Sequence, residues 1–199
     1  MVSEAEQRDD PKQAAPAVKP HDAATLVLID RSSGVAQVLM GRRRDDQVFM
    51  PGKYVFPGGR VDKEDRLVEC SDDVREAEAR LLMLEMKGEP SVARVRAVVL
   101  AAIRETFEEA GLVVGRPLAE PRISAVKSWQ PFFDLGFEPR PSALRLFARA
   151  ITPPGRPRRF DTRFFFAEAD AISHRLEMSD GELLGLHWLP IPEARELDL

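Results

Sequence analysis

Cysteine is nearly missing from this sequence. The single Cys70 among 199 residues excludes an internal disulfide framework and a cysteine-based structural zinc site, and it suits a reducing compartment such as the cytoplasm. Long apolar runs are missing too. Nothing approaches the roughly 18 consecutive apolar residues of a membrane span, so no transmembrane helix is expected. The opening stretch, MVSEAEQRDDPKQAAPAVKPHD, has neither a basic start nor an apolar run behind it, and no secretory signal is expected from it. There is no basic surplus: 29 Lys+Arg against 33 Asp+Glu leave a net charge of −4. That balance argues against a general nucleic-acid or anionic-membrane binder, while leaving room for a local basic pocket around a small phosphorylated ligand. Histidine is scarce, and His21, His174 and His187 fall in no metal-ligand spacing.

What is present is ordinary globular composition, 44% hydrophobic and 31% charged, at a length that predicts one domain, or one domain plus decoration. Residues 1–21, polar and rich in Pro and Ala, read as a poorly ordered tail before a domain spanning 22–199. Ala23–Asp30 and Val35–Met40 read as a strand hairpin around Arg31-Ser32-Ser33-Gly34, and Lys53–Phe56 as a short strand ending at Pro57-Gly58-Gly59. Asp72–Lys87 has helical composition. Ser91 is a good N-cap for a long helix from Val92 to Ala110, which Gly111 stops. Strands are expected near Ile123–Ser128, Ala143–Ile151, Thr162–Ala167 and Leu184–Leu189, and a short closing helix at Pro192–Leu197. Strands, helices, strands and helix in that order point to an α+β layer fold with a mixed sheet.

The helix segment AAIRETFEEAGL carries the chemistry. At about 100° per residue, with Glu105 at zero, Glu108 falls at about −60° and Glu109 at about 40°, while Ile103, Phe107 and Ala110 cluster on the opposite, core-directed side. Like charges at these spacings repel by roughly 0.2–0.5 kcal/mol per pair. Acids in a helix's last turn also oppose its dipole, by about 0.3–1 kcal/mol each. A divalent cation would reverse both penalties, and Mg²⁺ commonly sits between one or two carboxylates and substrate phosphates. The plainer reading is a solvated acidic face with Arg104–Glu108 as an i,i+4 ion pair.

Together, Val55-Phe56-Pro57-Gly58-Gly59-Arg60 and Arg104-Glu105-Thr106-Phe107-Glu108-Glu109-Ala110-Gly111-Leu112 resemble the Nudix signature G-x5-E-x7-R-E-U-x-E-E-x-G-U, where U is apolar. Gly59 takes the first position, Asp65 the first acid, and Thr106 stands in an apolar slot. Arg104 lies 39 residues after Asp65, an excess of 31 over the signature. The resemblance implies an α/β/α Nudix sandwich with a helical insertion, 66–90, between the Gly-Gly turn and the catalytic helix. An interrupted box of this kind resembles the coenzyme A diphosphatase branch related to the peroxisomal enzymes, as do Phe160-Asp161-Thr162-Arg163-Phe164-Phe165 and Trp188-Leu189-Pro190. A second pattern of that branch, L-L-T-x-R-S-x3-R-x3-G-x3-F-P-G-G, is met at Arg43 and Gly52 but not at Gly41, Arg44 or Val48; Arg42 or Arg44 could supply the lost charge.

The resemblance implies metal-dependent hydrolysis of a pyrophosphate bond in a nucleoside-diphosphate-linked substrate, with Mg²⁺ or Mn²⁺ as cofactor. Coenzyme A or acyl-CoA is favoured; ADP-ribose, dinucleotides, modified nucleoside triphosphates or a non-catalytic nucleotide-binding module are the alternatives. Arg104, Glu105 and Glu108 take the catalytic roles. Glu105, Glu108, Glu109, the Gly59 carbonyl and a late acid, Glu182 ahead of Asp180, Glu177 and Glu168, take the metal. Arg43, Gly58, Arg60 and Arg163 take substrate, Arg163 having an equally weighted reading as a structural partner of Asp161 or a core acid. Trp129, Phe132 and Phe133 are either a base-stacking platform or local packing. The apolar line Ala77, Leu81, Leu84 on the insertion helix either packs on its own domain or serves a homodimer.

Overall fold

The computed structural model describes residues 18–46, 51–84, 86–177 and 183–197. In chain order the strands are β1 (His21–Asp30), β2 (Gln37–Arg43), β3 (Tyr54–Val55) and β4 (Gly58–Arg60). Helices α1 (Glu76–Leu84) and α2 (Val92–Ala110) follow, then β5 (Leu112–Pro117), α3 (Gln130–Asp134), β6 (Phe137–Pro139), β7 (Arg145–Ile151), β8 (Phe160–Glu168), β9 (Ile172–Arg175), β10 (Leu183–Pro190) and α4 (Ile191–Ala194).

The main sheet runs β10-β2-β1-β8-β7, with β3 added on β2 and β4 on β1. β1 pairs in parallel with β8 from His21↔Phe160 to Ile29↔Glu168, while its other neighbours are antiparallel, so the sheet is mixed. Being central, β1 is apolar on both faces. Ala24, Leu26 and Leu28 join the large core under α2, and Val27 joins the smaller core that α4 closes with Val38 and Met40. These layers make the expected α/β/α sandwich. β6-β5-β9 form a separate small sheet, with β5 leaving α2 directly after Gly111.

The caps of α2 are as expected. The Ser91 hydroxyl accepts from the Arg94 N–H at 3.2 Å, and Gly111 adopts φ 64°, where a Cβ would be strained, so that its N–H reaches the Phe107 carbonyl. Thr106, in the apolar slot, is fully buried and donates its hydroxyl to the Ala102 carbonyl at 2.7 Å.

Several elements differ from the expectation. β1 begins at His21, inside the stretch taken as tail, because His21 N–H already donates to the Arg159 carbonyl at 2.9 Å. Ile123–Ser128 is not a strand: Ile123 is 89% exposed and the segment turns into a short 3₁₀ helix at Lys127–Trp129. The insertion helix is shorter than Asp72–Lys87, and its line Ala77, Leu81, Leu84 faces solvent, Leu84 being 81% exposed. Leu82 and Met86 instead enter the main core. Polar ties also dock the insertion: Glu78 accepts the Leu146 N–H at 2.8 Å, Asp72 the Ser142 N–H at 2.8 Å and Glu138 the Ser71 N–H at 2.9 Å.

Candidate functional site

The site begins where β4 crosses the carboxylate end of α2. Gly59 pairs with Ala24 and Gly58 with Thr25 on β1. A Cβ on Gly59 would lie 2.4 Å from the Glu105 carboxylate carbon, and one on Gly58 2.5 Å from the Ala24 carbonyl oxygen. Any side chain at either position would push the turn off the sheet or the carboxylate off its place. The Gly-Gly pair is therefore a requirement of close approach.

Arg104 organises the carboxylates. Its Nη1 donates to Glu105 at 3.0 Å and to Glu108 at 2.8 Å, so two acids of neighbouring turns converge on one nitrogen. Its other edge donates to Asp65, Nε to Oδ1 at 3.0 Å and Nη2 to Oδ2 at 3.2 Å, and Nη2 also reaches the Arg60 carbonyl at 3.0 Å. Asp65 is fully buried and further accepts the Trp129 indole N–H at 3.0 Å and the Asp62 N–H at 2.9 Å. The acid counted from Gly59 is thus brought to the arginine it should accompany, despite the long insertion between them. Burial opposes the Arg104 charge, but the Asp65 bonds and the surrounding acids outweigh it and hold the guanidinium well above its usual range. Burial pushes the Glu105 carboxyl up to about 7; Arg104 opposes the shift, and the nearby Glu108 charge adds to it. A carboxyl poised there can hold or release a proton near neutral pH.

Glu109 points elsewhere. It accepts the Gly58 N–H at 2.9 Å and faces Arg43 at 3.9 Å, both arginine and acid being largely buried. Among the described residues no three acids, histidines or cysteines gather tightly enough to hold a metal ion alone. The donor set nevertheless suits a hard divalent ion completed by substrate. Glu105 and Glu108 converge beside a glycine backbone, and Mg²⁺ needs only one or two carboxylates when phosphates and water fill its octahedron.

Arg60 is exposed and lies 3.8 Å from Asp62. Arg163 is only 1% exposed; its Nη1 donates to Asp22 at 2.6 Å and to the Asp161 carbonyl at 3.0 Å, the geometry of the structural reading and not of a phosphate contact. Trp129, Phe132 and Phe133 are buried in the main core, Phe132 packing on Phe107 and both Trp129 and Phe133 on Phe132, which leaves no face for a base and corrects the stacking alternative. Arg42 and Arg44 are paired with Asp45 and Asp46. Of the late acids, Glu182 and Asp180 lie outside the described residues. Glu168 pairs with Arg31. Glu177 lines a cavity of about 520 Å³ together with Glu109, Arg175 and Leu186. Sequence reasoning assigned no role to Asp62 or to the Trp129 indole N–H; nothing in their spacing marks them, because both act through a fold-dependent contact with Arg104 or Asp65.

No family model matches the chain. Over 86% of its length it is 25% identical to nudix hydrolase 7 of Caenorhabditis elegans, and over 80% it is 27% identical to acyl-coenzyme A diphosphatase NUDT19 of Gallus gallus. It spans about half of these relatives, 52% and 55%. Among solved structures it is similar to a NUDIX hydrolase from Alicyclobacillus acidocaldarius, with a TM-score of 0.64 and 25% identity over 90% of this chain and 86% of that one.

Proposed function

We propose that this chain, a Nudix-family protein with the Nudix fold and a coenzyme A diphosphatase among its relatives, hydrolyses the pyrophosphate bond of a nucleoside-diphosphate-linked substrate. The observation that carries the reading is the convergence of Glu105 and Glu108 on Arg104 beside the side-chain-free Gly59. Glu105, Glu108 and the Gly59 carbonyl would hold Mg²⁺ or Mn²⁺, with Glu109 or Glu177 joining by a side-chain turn. The ion would neutralise phosphate charge and lower the pKa of a bound water. Arg104 fixes the two carboxylates in register, itself held by Asp65. In the metal-free site burial raises the Glu105 carboxyl to about 7; with the ion held, one of the clustered glutamates would serve as base toward the water. Arg43, facing Glu109, would offer a cation to a substrate phosphate.

Acyl-CoA or CoA is the favoured substrate, supported by the similarity to the avian acyl-coenzyme A diphosphatase and by Arg43 and Gly52 in the second pattern. The test is a coupled phosphate-release screen over CoA, acyl-CoA, ADP-ribose, a dinucleotide and a nucleoside triphosphate, with Mg²⁺ or Mn²⁺. Wild type should turn over at least one diphosphate, and Glu108→Gln, at an exposed position, should lose about 100-fold or more in kcat with an unchanged melting curve. Nucleotide binding without turnover in excess metal, or full activity in the variant, would overturn the reading.

A further inference from the structure

Trp129 contributes no group to the proposed chemistry, yet its indole closes on the acid behind Arg104. It ends the short 3₁₀ helix Lys127–Trp129 and is 1% exposed. Packing alone would be served by any large aromatic there: the ring sits tilted against Phe132, the two centroids 5.4 Å apart. What the indole adds is a donor that has to find a partner once it is buried. It finds Asp65 Oδ1 at 3.0 Å, across 64 positions of chain.

Two groups at this centre are saturated. The five N–H donors of Arg104 go to Asp65 twice, to Glu105, to Glu108 and to the Arg60 carbonyl. Asp65 accepts two bonds on each oxygen: from Arg104 Nε and the Trp129 indole on Oδ1, and from Arg104 Nη2 and the Asp62 N–H on Oδ2. A two-pronged arginine–carboxylate pair fixes its members relative to each other, but not relative to the scaffold. A shift of the pair as one body would carry along the Nη1 that Glu105 and Glu108 share. The Asp62 N–H belongs to the same turn as Asp65, whose own N–H returns to the Asp62 carbonyl at 3.2 Å, so it ties Asp65 only to its own segment. The Trp129 bond ties it to a different element, one seated in the main core.

We propose that Trp129 is a positioning residue: its indole N–H anchors Asp65 and, through Asp65 and Arg104, sets the register of Glu105 and Glu108. The consequence for metal and turnover rests on reading those two glutamates as ligands of a divalent ion; the anchoring of Arg104 does not. Removing an outer hydrogen-bond partner of this kind typically costs about 10- to 100-fold in metal affinity or activity.

Three altered chains test it. Trp129→Phe keeps an aromatic ring against Phe132 and removes the N–H. A form with benzothienylalanine at position 129 keeps the two-ring shape and puts sulfur where the N–H was. Phe133→Leu disturbs the same aromatic packing without touching Asp65, and serves as the control. The first readout needs no metal: solvent exchange of the Arg104 Nε–H by ¹⁵N NMR, compared at temperatures equally far below each melting midpoint. Exchange should quicken about tenfold in both altered forms of position 129 and stay as in wild type in Phe133→Leu. The second readout is Mn²⁺ affinity by paramagnetic relaxation, joined to steady-state kinetics on whichever diphosphate wild type cleaves. Both forms should bind Mn²⁺ about tenfold more weakly and lose kcat while KM for the nucleotide holds within about twofold. Unchanged Arg104 exchange, or a rise that Phe133→Leu matches, would overturn the proposal. Faster exchange with wild-type Mn²⁺ affinity and kcat would overturn it as well, by reducing the bond to packing. If exchange responds as expected while wild type takes up no Mn²⁺ and cleaves no diphosphate, the anchor on Arg104 stands and the enzymatic reading falls.

Discussion

Asp65 grips Arg104 through a two-pronged hydrogen-bonded ion pair spanning 39 positions of chain, and both residues are buried. Removing one partner of such a pair leaves the other charge stranded, which typically costs about 3–5 kcal/mol. Asp65→Asn is expected to destabilise the fold by about 3 kcal/mol, since Glu105 and Glu108 still share the Arg104 charge. Because Asp65 also accepts the Trp129 indole proton, tryptophan emission should shift in the same variant. Urea unfolding together with the emission spectrum checks this; wild-type stability with an unshifted spectrum would contradict the pairing.

Gly59→Ala should leave the fold in place and injure the site. The added methyl would overlap the Glu105 carboxylate, a flexible group that can rotate away but then leaves Arg104. A loss of about tenfold or more in kcat is expected, with weaker retention of Mn²⁺ by paramagnetic relaxation. Activity equal to wild type would show that the close contact is immaterial.

The Glu105 carboxyl, raised to about 7, sets a pH dependence whose sign can be worked out. Between the ordinary glutamate range and about 7, the folded chain keeps a proton that the unfolded chain has lost. This contribution to stability is therefore full at the acid end of the window and is lost as pH rises through about 7. In EDTA, wild type should lose up to about 3 kcal/mol relative to Glu105→Gln between roughly pH 5 and roughly pH 8. Denaturant midpoints across that range decide the matter, and parallel profiles would refute it.

On the insertion helix, neighbouring leucines should respond oppositely. Leu82→Ala, in the core, is expected to cost about 2–5 kcal/mol, whereas Leu84→Ser, in solvent, should change stability by less than about 0.5 kcal/mol. Comparing the two by thermal denaturation, with light scattering on Leu84→Ser, separates packing within the domain from contact with a second copy. A comparable loss in both would mean that the exposed face is covered in solution.

Much of this arrangement was legible from residue order. Ser91 and Gly111 mark the ends of α2 because capping is a local rule, and the helical period alone placed Glu105 and Glu108 together. Asp65 could be found by counting from Gly59. The small strands β5 and β6 and the neighbouring β9 were not foreseen. Gly115, Pro117 and Pro139 sit inside them, β5 meeting β6 at Gly115↔Pro139 and Pro117↔Phe137. Ile123–Ser128 read as a strand, yet only Val126 is buried there. Arg163 offered two roles, and only the parallel pairing of β8 with β1, which carries it to Asp22, distinguishes between them. Glu109 was grouped with its helix neighbours by angle, but the N–H of Gly58 captures it. Long-range contacts of this kind have no periodicity to announce them.

The docking of the insertion by Leu82, Glu78 and Asp72 has a broader consequence. The join between Asp65 and Arg104 is made by side chains across space, so the detour's length is decoupled from the geometry it encloses. Evolution can lengthen, shorten or redecorate that excursion as a separate module, provided its two roots stay fastened. Substitutions on the outward surface carrying Leu81 and Leu84 should therefore leave the Asp65–Arg104 join and the carboxylates beyond it undisturbed.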